Sequence, residues 1–410
     1  MVSLQKMKIL MISAIFPYPP TRGGTQVRTF NLLQYLNLYH DITLVTLQSD
    51  DITPSEIETL NSWVKQLIIF PRPRGRRATL WGKLIRFLNF LQSGTPPNVT
   101  SMYSLEMQQW LDNAVAGGEF SVITCEHSVN EIYIRPDWQK KVKTVANIHS
   151  SVYLTCRDQL LTGISENPRR DRIYAPFLKN YERLSSQKFT TLVVTTPEDK
   201  KSIEDLTSHR EISVVPNGVN LSLFPYRDED SGGHHLILTG GMDYSVNIDS
   251  ACFFVLEIFP MLQQKYADVT LTIVGSNPAA PVLALAHYPG VTVTGRVPSM
   301  IEYLHRASVC IVPMRSGFGI KNKTLEAMAA GVPVVGSDRG LEGLTVDGLD
   351  VPLSALRANK VDEYVAAISR LFEDSNLRIA IARNARDLIE NNYTWPIAGA
   401  QYEKVLTGTI

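Results

Sequence analysis

The feature that most constrains the fold of this chain is a series of short runs that are almost entirely apolar. Residues 8–13 (KILMIS), 42–47 (ITLVTL) and 121–125 (SVITC) open the series. Such runs are typical of parallel strands that are covered on both faces, because strands with one solvent-facing side alternate apolar and polar residues. Segments with helical periodicity separate the runs. The pattern therefore predicts α/β units built on parallel sheets.

The series breaks once and then begins again. Residues 227–235 (RDEDSGGHH) are polar and acidic and contain two adjacent glycines, which is typical of a domain boundary. Residues 236–239 (LILT) restart the pattern, and 269–274, 309–312 and 332–335 continue it. A chain of 410 residues is long enough for two or three domains. The break predicts two α/β halves of similar size.

The composition is that of a soluble globular chain. Apolar residues make up 44% and charged residues 20%, and the formal net charge is zero, so nothing global points to a nucleic-acid partner. The four cysteines are scattered without a CxxC pair, which argues against a disulfide scaffold or structural zinc and fits a reducing compartment. No apolar run has the length of a membrane span. We therefore expect a cytoplasmic protein that binds no nucleic acid.

Residues 316–335 (SGFGIKNKTLEAMAAGVPVV) form the stretch with the clearest chemistry. Residues 316–319 predict a glycine-rich turn, 324–330 a helix and 333–335 a buried strand. A glycine turn that opens onto a helix N-terminus presents free N–H groups to an anion such as phosphate, and Lys321 and Lys323 add positive charge. Glu326 could accept hydrogen bonds from paired ligand hydroxyls. Alternatively, it only complements the helix dipole and the lysines are solvated.

Other candidate positions also follow predicted strands. Gly23-Gly24 and Gly240-Gly241 are glycine pairs that could let a ligand approach the backbone, although ordinary turns use the same residues. Neither is a GxGxxG, so the dinucleotide fingerprint is absent. His127 and His149 come directly after two predicted strands, where ligands bind in open parallel sheets. A histidine at such a position can equally be structural.

Residues 71–93 (PRPRGRRATLWGKLIRFLNFLQS) begin with four arginines, Arg72, Arg74, Arg76 and Arg77, ahead of an amphipathic helical pattern. Basic amphipathic helices with Trp and Phe are typical of segments that lie on a membrane surface. The alternative is that the apolar face packs on its own domain and the arginines are solvated. Peripheral membrane contact through residues 72–91, at the inner face of the cell membrane, is thus a hypothesis. Co-sedimentation with anionic liposomes tests it.

Taken together, these residues resemble glycosyltransferase family 4, the retaining enzymes of GT-B architecture, and most of all the bacterial transferases associated with exopolysaccharide assembly. The resemblance covers nearly the whole chain. It rests on the first strand with Arg22-Gly23-Gly24, on Pro216-Asn217-Gly218-Val219, on Gly241-Met242-Asp243-Tyr244 with Asn247 and Asp249, on the Gly317–Gly319 turn with Leu325-Glu326-Ala327-Met328-Ala329, Gly331 and Pro333, and on Tyr393-Thr394-Trp395.

The resemblance implies an α/β fold of two Rossmann-like domains that face each other across a cleft. Residues 1–215 would form an N-terminal acceptor-binding domain, and 216–393 a C-terminal domain for the nucleotide-sugar donor. The helix at about 394–410 would pack back on the first domain. It also implies a reaction in which a nucleotide-sugar, most simply a UDP- or GDP-sugar, is a substrate and no cofactor is needed.

The resemblance, together with the positions of Lys321, Lys323 and His149 at a predicted helix start and strand end, assigns roles to individual residues. His127, Lys321 and Glu326 would act at the reacting bond or on the nucleotide, Glu326 through the ribose. The implied substrate-binding residues are Gly23, Gly24, His149, Gly241, Asn247, Ser316, Gly317, Phe318, Gly319, Ile320, Lys323 and Thr324. No metal ligand is implied, and no paired Asp motif for a divalent cation stands out.

Two positions depart from the family pattern. Ser316 stands where the family carries a glutamate that holds the sugar hydroxyls. The usual Arg and Lys pair for the diphosphate is also missing after Gly240-Gly241, and we infer that Lys321 or Lys323 supplies that charge.

The sequence thus predicts a retaining hexosyltransferase of polysaccharide or glycoconjugate biosynthesis. Its acceptor would be a glycan, a lipid-linked or a small-molecule hydroxyl. A nucleotide-sugar epimerase of the same fold and a non-catalytic nucleotide-sugar-binding subunit of a polysaccharide assembly complex are the alternatives. Turnover that depends on an acceptor distinguishes the transferase from both.

Overall fold

The computed structural model describes residues 6–73, 90, 92, 94–227 and 229–408. The chain divides into two compact units. Unit 1 comprises Met1–Val215 with Ala398–Ile410, and unit 2 comprises Pro216–Ile397. Each unit is a parallel α/β sheet with its own apolar core. Arg74, Arg76, Arg77 and Trp81, on which the membrane hypothesis rests, lie outside the described residues.

Unit 1 contains a seven-stranded parallel sheet in the order β3-β2-β1-β4-β5-β6-β7. The strands are β1 (Lys8–Ser13), β2 (Asp41–Gln48), β3 (Gln66–Pro71), β4 (Val122–Glu126), β5 (Lys143–Asn147), β6 (Thr191–Val194) and β7 (Ile212–Val214). The strand order reverses between β1 and β4, so the crevice beyond their carboxyl ends is the place where such sheets bind ligands.

The helices of unit 1 connect these strands. They are α1 (Gly24–Asn37), α2 (Pro54–Asn61), α3 (Pro97–Thr100), α4 (Leu105–Ala116), α5 (Val152–Leu161), α6 (Pro168–Ser186) and α7 (Pro197–Thr207). Side-chain caps define several starts. The Thr53 hydroxyl accepts from the N–H of Glu56 at the start of α2, and the Ser104 and Ser151 hydroxyls cap α4 and α5.

The last helix, α15 (Trp395–Thr407), begins in unit 2 and continues into unit 1. Gly399 lies against Tyr35 of α1 so closely that a Cβ atom would come within 2.2 Å of the tyrosine ring. Two polar contacts add to this packing. Tyr402 donates to Glu126 at 2.8 Å, and Glu403 pairs with His40 at 3.0 Å. This part of the helix is therefore integral to the core of unit 1.

Unit 2 contains a six-stranded parallel sheet in the order β10-β9-β8-β11-β12-β13. The strands are β8 (His235–Thr239), β9 (Thr270–Val274), β10 (Val291–Gly295), β11 (Val309–Val312), β12 (Val334–Gly336) and β13 (Leu356–Arg357). The order reverses between β8 and β11. The glycine turns at Gly240-Gly241 and Ser316–Gly319 follow these two strands, so both lie at the reversal.

The helices of unit 2 are α8 (Ser245–Phe253), α9 (Phe259–Lys265), α10 (Ala280–Ala284), α11 (Met300–Arg306), α12 (Asn322–Ala329), α13 (Val361–Glu373) and α14 (Ser375–Asn392). A single π-helical segment, Phe254–Ile258, joins α8 to α9. The whole run Ser245–Lys265 is long and apolar enough to cross a membrane, contrary to our expectation for the chain. Half of it is buried, and Phe254, Ile258 and Leu262 belong to the core of unit 2, as in a core helix of a globular domain.

Candidate active site

The first part of the site in unit 2 is the turn after β8. Gly240 has a φ of 153°, where side chains are strained, and a Cβ there would lie 2.9 Å from Asn247 Nδ2 and 3.0 Å from Lys323 Nζ. Asn247 Nδ2 donates to the Gly241 carbonyl at 2.8 Å, and Lys323 Nζ donates to Asn247 Oδ1 at 2.7 Å. Asn247 therefore connects the glycine turn to the Lys323 ammonium, and the structure brings all three together.

The second part is the turn after β11, which leads into α12. Gly317 and Gly319 have φ of 121° and 77°, in the region that favours glycine. Lys321 precedes the helix, but its ammonium turns inward. It donates to the Gly319 carbonyl and pairs with the buried carboxylate of Glu342 at 3.2 Å. Arg339 Nη1 lies 2.7 Å from the same carboxylate.

This geometry separates the two lysines that the sequence treated as interchangeable. Lys321 is buried and already ion-paired with Glu342, so its charge stabilises the conformation of the Gly317–Gly319 turn. Lys323 is half-buried, and its ammonium donates to an amide oxygen, not to a carboxylate. Of the two, Lys323 is the cation that can meet an anion at the Gly240-Gly241 turn.

Lys323 and Glu326 have perturbed protonation equilibria. Burial lowers the pKa of the Lys323 ammonium to about 8. Burial raises the pKa of the Glu326 carboxyl to about 7, although the nearby Lys323 charge opposes the rise. No described side chain donates a hydrogen bond to the Glu326 carboxylate. A half-buried carboxylate without donors is costly, and a ligand with neighbouring hydroxyls would satisfy it.

Four predicted binding residues around α12 have different settings. The Ile320 side chain belongs to the apolar core, and Thr324 Oγ1 donates to the Gly340 carbonyl at 2.7 Å, so neither side chain faces a ligand. Phe318 is half-buried. Ser316 is fully buried, and its hydroxyl has no partner among the described residues.

In unit 1, Gly23-Gly24 lies between β1 and α1. Gly23 has extended backbone, which any residue can adopt, and Gly24 has open space where a Cβ would lie. The structure of the chain therefore does not require glycine at position 24, which leaves room for an approaching group. Arg22 ends the preceding turn and pairs with Asp51 and with Glu56 at 2.8 Å.

His127 follows β4 with a φ of 83°, unusual for a residue with a side chain. Its Nδ1 accepts from the Val129 N–H at 3.2 Å, which leaves the proton of the neutral ring on Nε2, 3.4 Å from Ser150 Oγ. Burial lowers its pKa to about 4. The side chain is therefore neutral at pH 7 and can donate a hydrogen bond.

His149 follows β5 and lies edge-to-face with His127, their ring centroids 5.2 Å apart. Both of its ring nitrogens are buried without a partner among the described residues. Burial lowers its pKa well below the usual value, and the His127 charge would lower it further. The structure thus brings the two strand-end histidines together.

Sequence reasoning missed the buried polar network directly behind His127. Glu126 accepts from Tyr402 Oη and from Asn147 Nδ2, each at 2.8 Å, and Arg28 Nε donates to Asn147 Oδ1 at 2.9 Å. All four side chains are buried, and Arg28 also donates to the Val215 carbonyl. The sequence signal that could have indicated this network is a charged or polar residue in apolar surroundings, such as Glu126 at the end of an apolar strand.

The two units carry different chemistry at the carboxyl ends of their sheets. Unit 2 combines a cation, the N-terminus of α12 and a carboxylate, which suits a ligand with a diphosphate and a vicinal diol. Unit 1 offers neutral imidazoles that can bind hydroxyl groups. Within the described residues, no group of three or more His, Cys, Asp or Glu side chains could hold a metal ion.

Comparison with known proteins identifies the family. Residues 22–223 match the family described as Glycosyltransferase Family 4, and residues 233–374 match Glycosyl transferases group 1. The two matches together cover most of the chain. The chain belongs to the glycosyltransferases.

Individual relatives agree with this assignment. A 44.6 kDa protein in the cps region of Klebsiella pneumoniae is 22% identical over 94% of this chain and 96% of its own. The lipopolysaccharide 1,2-N-acetylglucosaminetransferase of Salmonella typhimurium is 24% identical over 52% of this chain and 61% of its own. Several curated relatives are thus matched over less than two thirds of their length, down to 30%.

Solved structures show the same fold. A sucrose-phosphate synthase of Thermosynechococcus elongatus superimposes with a TM-score of 0.72 at 18% identity, over 98% of this chain and 99% of that one. Anabaena HepE in complex with UDP gives 0.64 at 12% identity, over 98% and 100%. The glycosyltransferase therefore has the GT-B type of fold, two parallel-sheet α/β domains.

Proposed function

We propose that this glycosyltransferase moves a sugar from a nucleoside diphosphate-sugar to an acceptor hydroxyl, with retention of the anomeric configuration. The observation that carries the proposal is the arrangement of Lys323 and Glu326 on one short helix, beside the Gly240-Gly241 turn. An ammonium and a donor-free carboxylate, one helical turn apart, match the diphosphate and the ribose of such a donor.

The roles follow from the charge that develops during transfer. As the bond from sugar to diphosphate breaks, negative charge grows on the leaving phosphate. Lys323 and the N–H groups at the start of α12 are fixed before the reaction and stabilise that charge. Lys321 holds the Gly317–Gly319 turn through the Gly319 carbonyl and acts as a positioning residue. Glu326 anchors the ribose.

In unit 1, His127 and His149 bind hydroxyl groups of the reacting sugars. Because both rings are neutral at pH 7, they donate and accept hydrogen bonds without repelling the oxocarbenium character of the reacting sugar. The open space at Gly24 admits a ligand close to the start of α1. No metal and no cofactor takes part in the proposed reaction, and the nucleotide-sugar is a substrate.

Uridine diphosphate is the first nucleotide to test, and guanosine diphosphate is the second. HepE, which shares the fold, was solved with UDP. The acceptor is a glycan, a lipid-linked or a small-molecule hydroxyl, and the Salmonella relative suggests a bacterial polysaccharide. We place the reaction in the cytoplasm, where nucleotide-sugars are made.

A thermal-shift screen against UDP, GDP, ADP and their sugars tests the donor. The preferred nucleotide raises the melting temperature by mass action. Lys323→Gln should strongly reduce the shift, whereas Lys360→Gln, a matched change at an exposed lysine of unit 2, should preserve it. If Lys323→Gln kept the full shift, the donor site would have to lie elsewhere.

Acceptor-dependent turnover separates the transferase from a binding subunit and from an epimerase. A transferase releases the nucleoside diphosphate only when an acceptor is present, beyond slow hydrolysis. NMR of the product reports the anomeric configuration. An inverted product would rule out retention, and ligand binding without turnover over a broad acceptor panel would favour the binding subunit.

A further inference from the structure

Helix α6 of unit 1 separates its charges by side. Its two acidic residues turn inward. Asp171 is buried and accepts from Ser165 Oγ at 2.6 Å, and Glu182 accepts from Ser151 Oγ and the Val152 N–H, each at 2.6 Å. The acids of this helix are therefore used inside the unit, and they do not neutralise its outer face.

The outer face carries four exposed cations. Arg169, Arg172, Lys179 and Arg183 follow one another at intervals of three, seven and four, which puts them on one side of a helix with 3.6 residues per turn. Among the described residues no carboxylate pairs with them. Arg183 donates to Asn180 at 2.9 Å, and Lys179 lies 5.9 Å from the centre of the Tyr153 ring.

Large aliphatic side chains border these cations. Ile173 is 53% exposed and Leu184 49% exposed, and their spacing of eleven residues, three helical turns, places them along one edge of the same face. Leu161, at the end of the preceding helix, is 78% exposed. Single exposed residues of this size are common, but these three lie beside a row of cations that no described carboxylate neutralises.

We propose that the outer face of α6, with Leu161, binds an anionic lipid bilayer. The four cations meet lipid phosphates, and the three aliphatic side chains enter the boundary between head groups and acyl chains. A soluble anionic glycan would account for the cations and leave the aliphatic edge without a partner. The combination of the two features therefore selects the membrane.

A second observation agrees with this surface. Phe90, at the end of the basic segment 72–91, packs on α6, with ring-centroid distances of 4.6 Å to Tyr174 and 5.9 Å to Phe177. Phe90 thus contacts the same helix. The proposal concerns α6 itself, and it is independent of the proposed donor chemistry, because membrane binding and transfer to a soluble acceptor are measured separately.

Co-sedimentation of the full chain with vesicles of phosphatidylcholine, with and without phosphatidylglycerol, tests the proposal. The wild type should bind only the anionic vesicles and should be released by about 1 M salt, which shortens the Debye length to about 3 Å. The variant R169Q/R172Q/K179Q/R183Q should bind at least about tenfold more weakly. I173S/L184S should also bind more weakly, at unchanged charge.

The matched control is K140Q/K141Q/K200Q/K201Q, which removes the same charge from other elements of unit 1. It should bind like the wild type. Equal loss in both quadruple variants would overturn the proposal, because binding would then follow net charge. The proposal would also be overturned if the wild type did not bind vesicles, or if it bound soluble heparin more tightly than vesicles. Loss of binding only in an Arg72/Arg74/Arg76/Arg77→Ala variant would overturn it as well.

Discussion

Replacing Glu326 by glutamine should weaken donor binding and at the same time stabilise the free protein. The carboxylate is half-buried, accepts no hydrogen bond from a described side chain and has its pKa raised to about 7 by burial. Glutamine has the same shape without the charge. The substitution therefore removes the cost of holding an ionised carboxylate in this position, together with the group proposed to bind the ribose.

The expected gain follows from proton linkage. Between the ordinary pKa of about 4.5 and the folded value of about 7, the unfolded chain releases the proton while the folded chain keeps it, so stability falls as pH rises through this window. The full shift corresponds to about 3 kcal/mol. Because residual solvent contact screens the charge, we expect about 1–2 kcal/mol. For a unit of this size, that is roughly 2–8 °C in melting temperature.

Thermal melts of wild type and Glu326→Gln from pH 4.5 to 8.5 measure this difference. The two curves should nearly coincide at the acid end and separate by pH 7–8, with the variant more stable. Donor affinity should fall about tenfold or more, the worth of hydrogen bonds to a charged acceptor. Glu302→Gln, at an exposed glutamate of the same unit, should change neither quantity. A variant that is less stable at pH 8, or that binds donor normally, would refute the reasoning.

Three further substitutions probe the rest of the site. Lys323→Gln should weaken donor binding by about 2 kcal/mol, roughly thirtyfold, without lowering stability, as titration calorimetry and melts will show. Lys321→Met should mainly lower the free energy of unfolding, by about 3 kcal/mol in urea, because it breaks a buried ion pair. The donor KM should rise by a smaller factor. Tyr402→Phe should cost about 2 kcal/mol by removing a hydrogen bond to buried Glu126, whereas Tyr39→Phe, at an exposed ring, should not.

Much of the fold could be predicted from the sequence, because parallel strands buried on both faces have an unmistakable composition. The runs at 8–13 and 309–312 are strands β1 and β11, and the chain belongs to the glycosyltransferases, as the resemblance implied. The glycine turns were also predictable in place, since the reversal of strand order brings the ends of β8 and β11 together. These features depend on local pattern and on topology, both of which the sequence carries.

The directions of individual side chains could not be predicted in the same way. Lys321 and Lys323 are two residues apart, and the local sequence does not distinguish them. Lys321 lies before the first turn of α12, whereas Lys323 lies within it. Glu342, the carboxylate that pairs with the buried Lys321 ammonium, lies 21 residues further along the chain, in a loop without a recognisable motif. Likewise, Tyr402 meets Glu126 across 276 residues, and no periodicity predicts a contact of that range.

The ion pair behind the glycine turn bears on the carboxylate that the family carries at position 316. Ser316 is fully buried, and a carboxylate there would need a cation. One cation at this turn is Lys321, whose Cε lies 3.7 Å from where a Cβ on Gly317 would be, but it is already paired with Glu342. A carboxylate at position 316 would have to compete with Glu342 for the Lys321 ammonium. The serine and the Lys321–Glu342 pair are therefore mutually consistent.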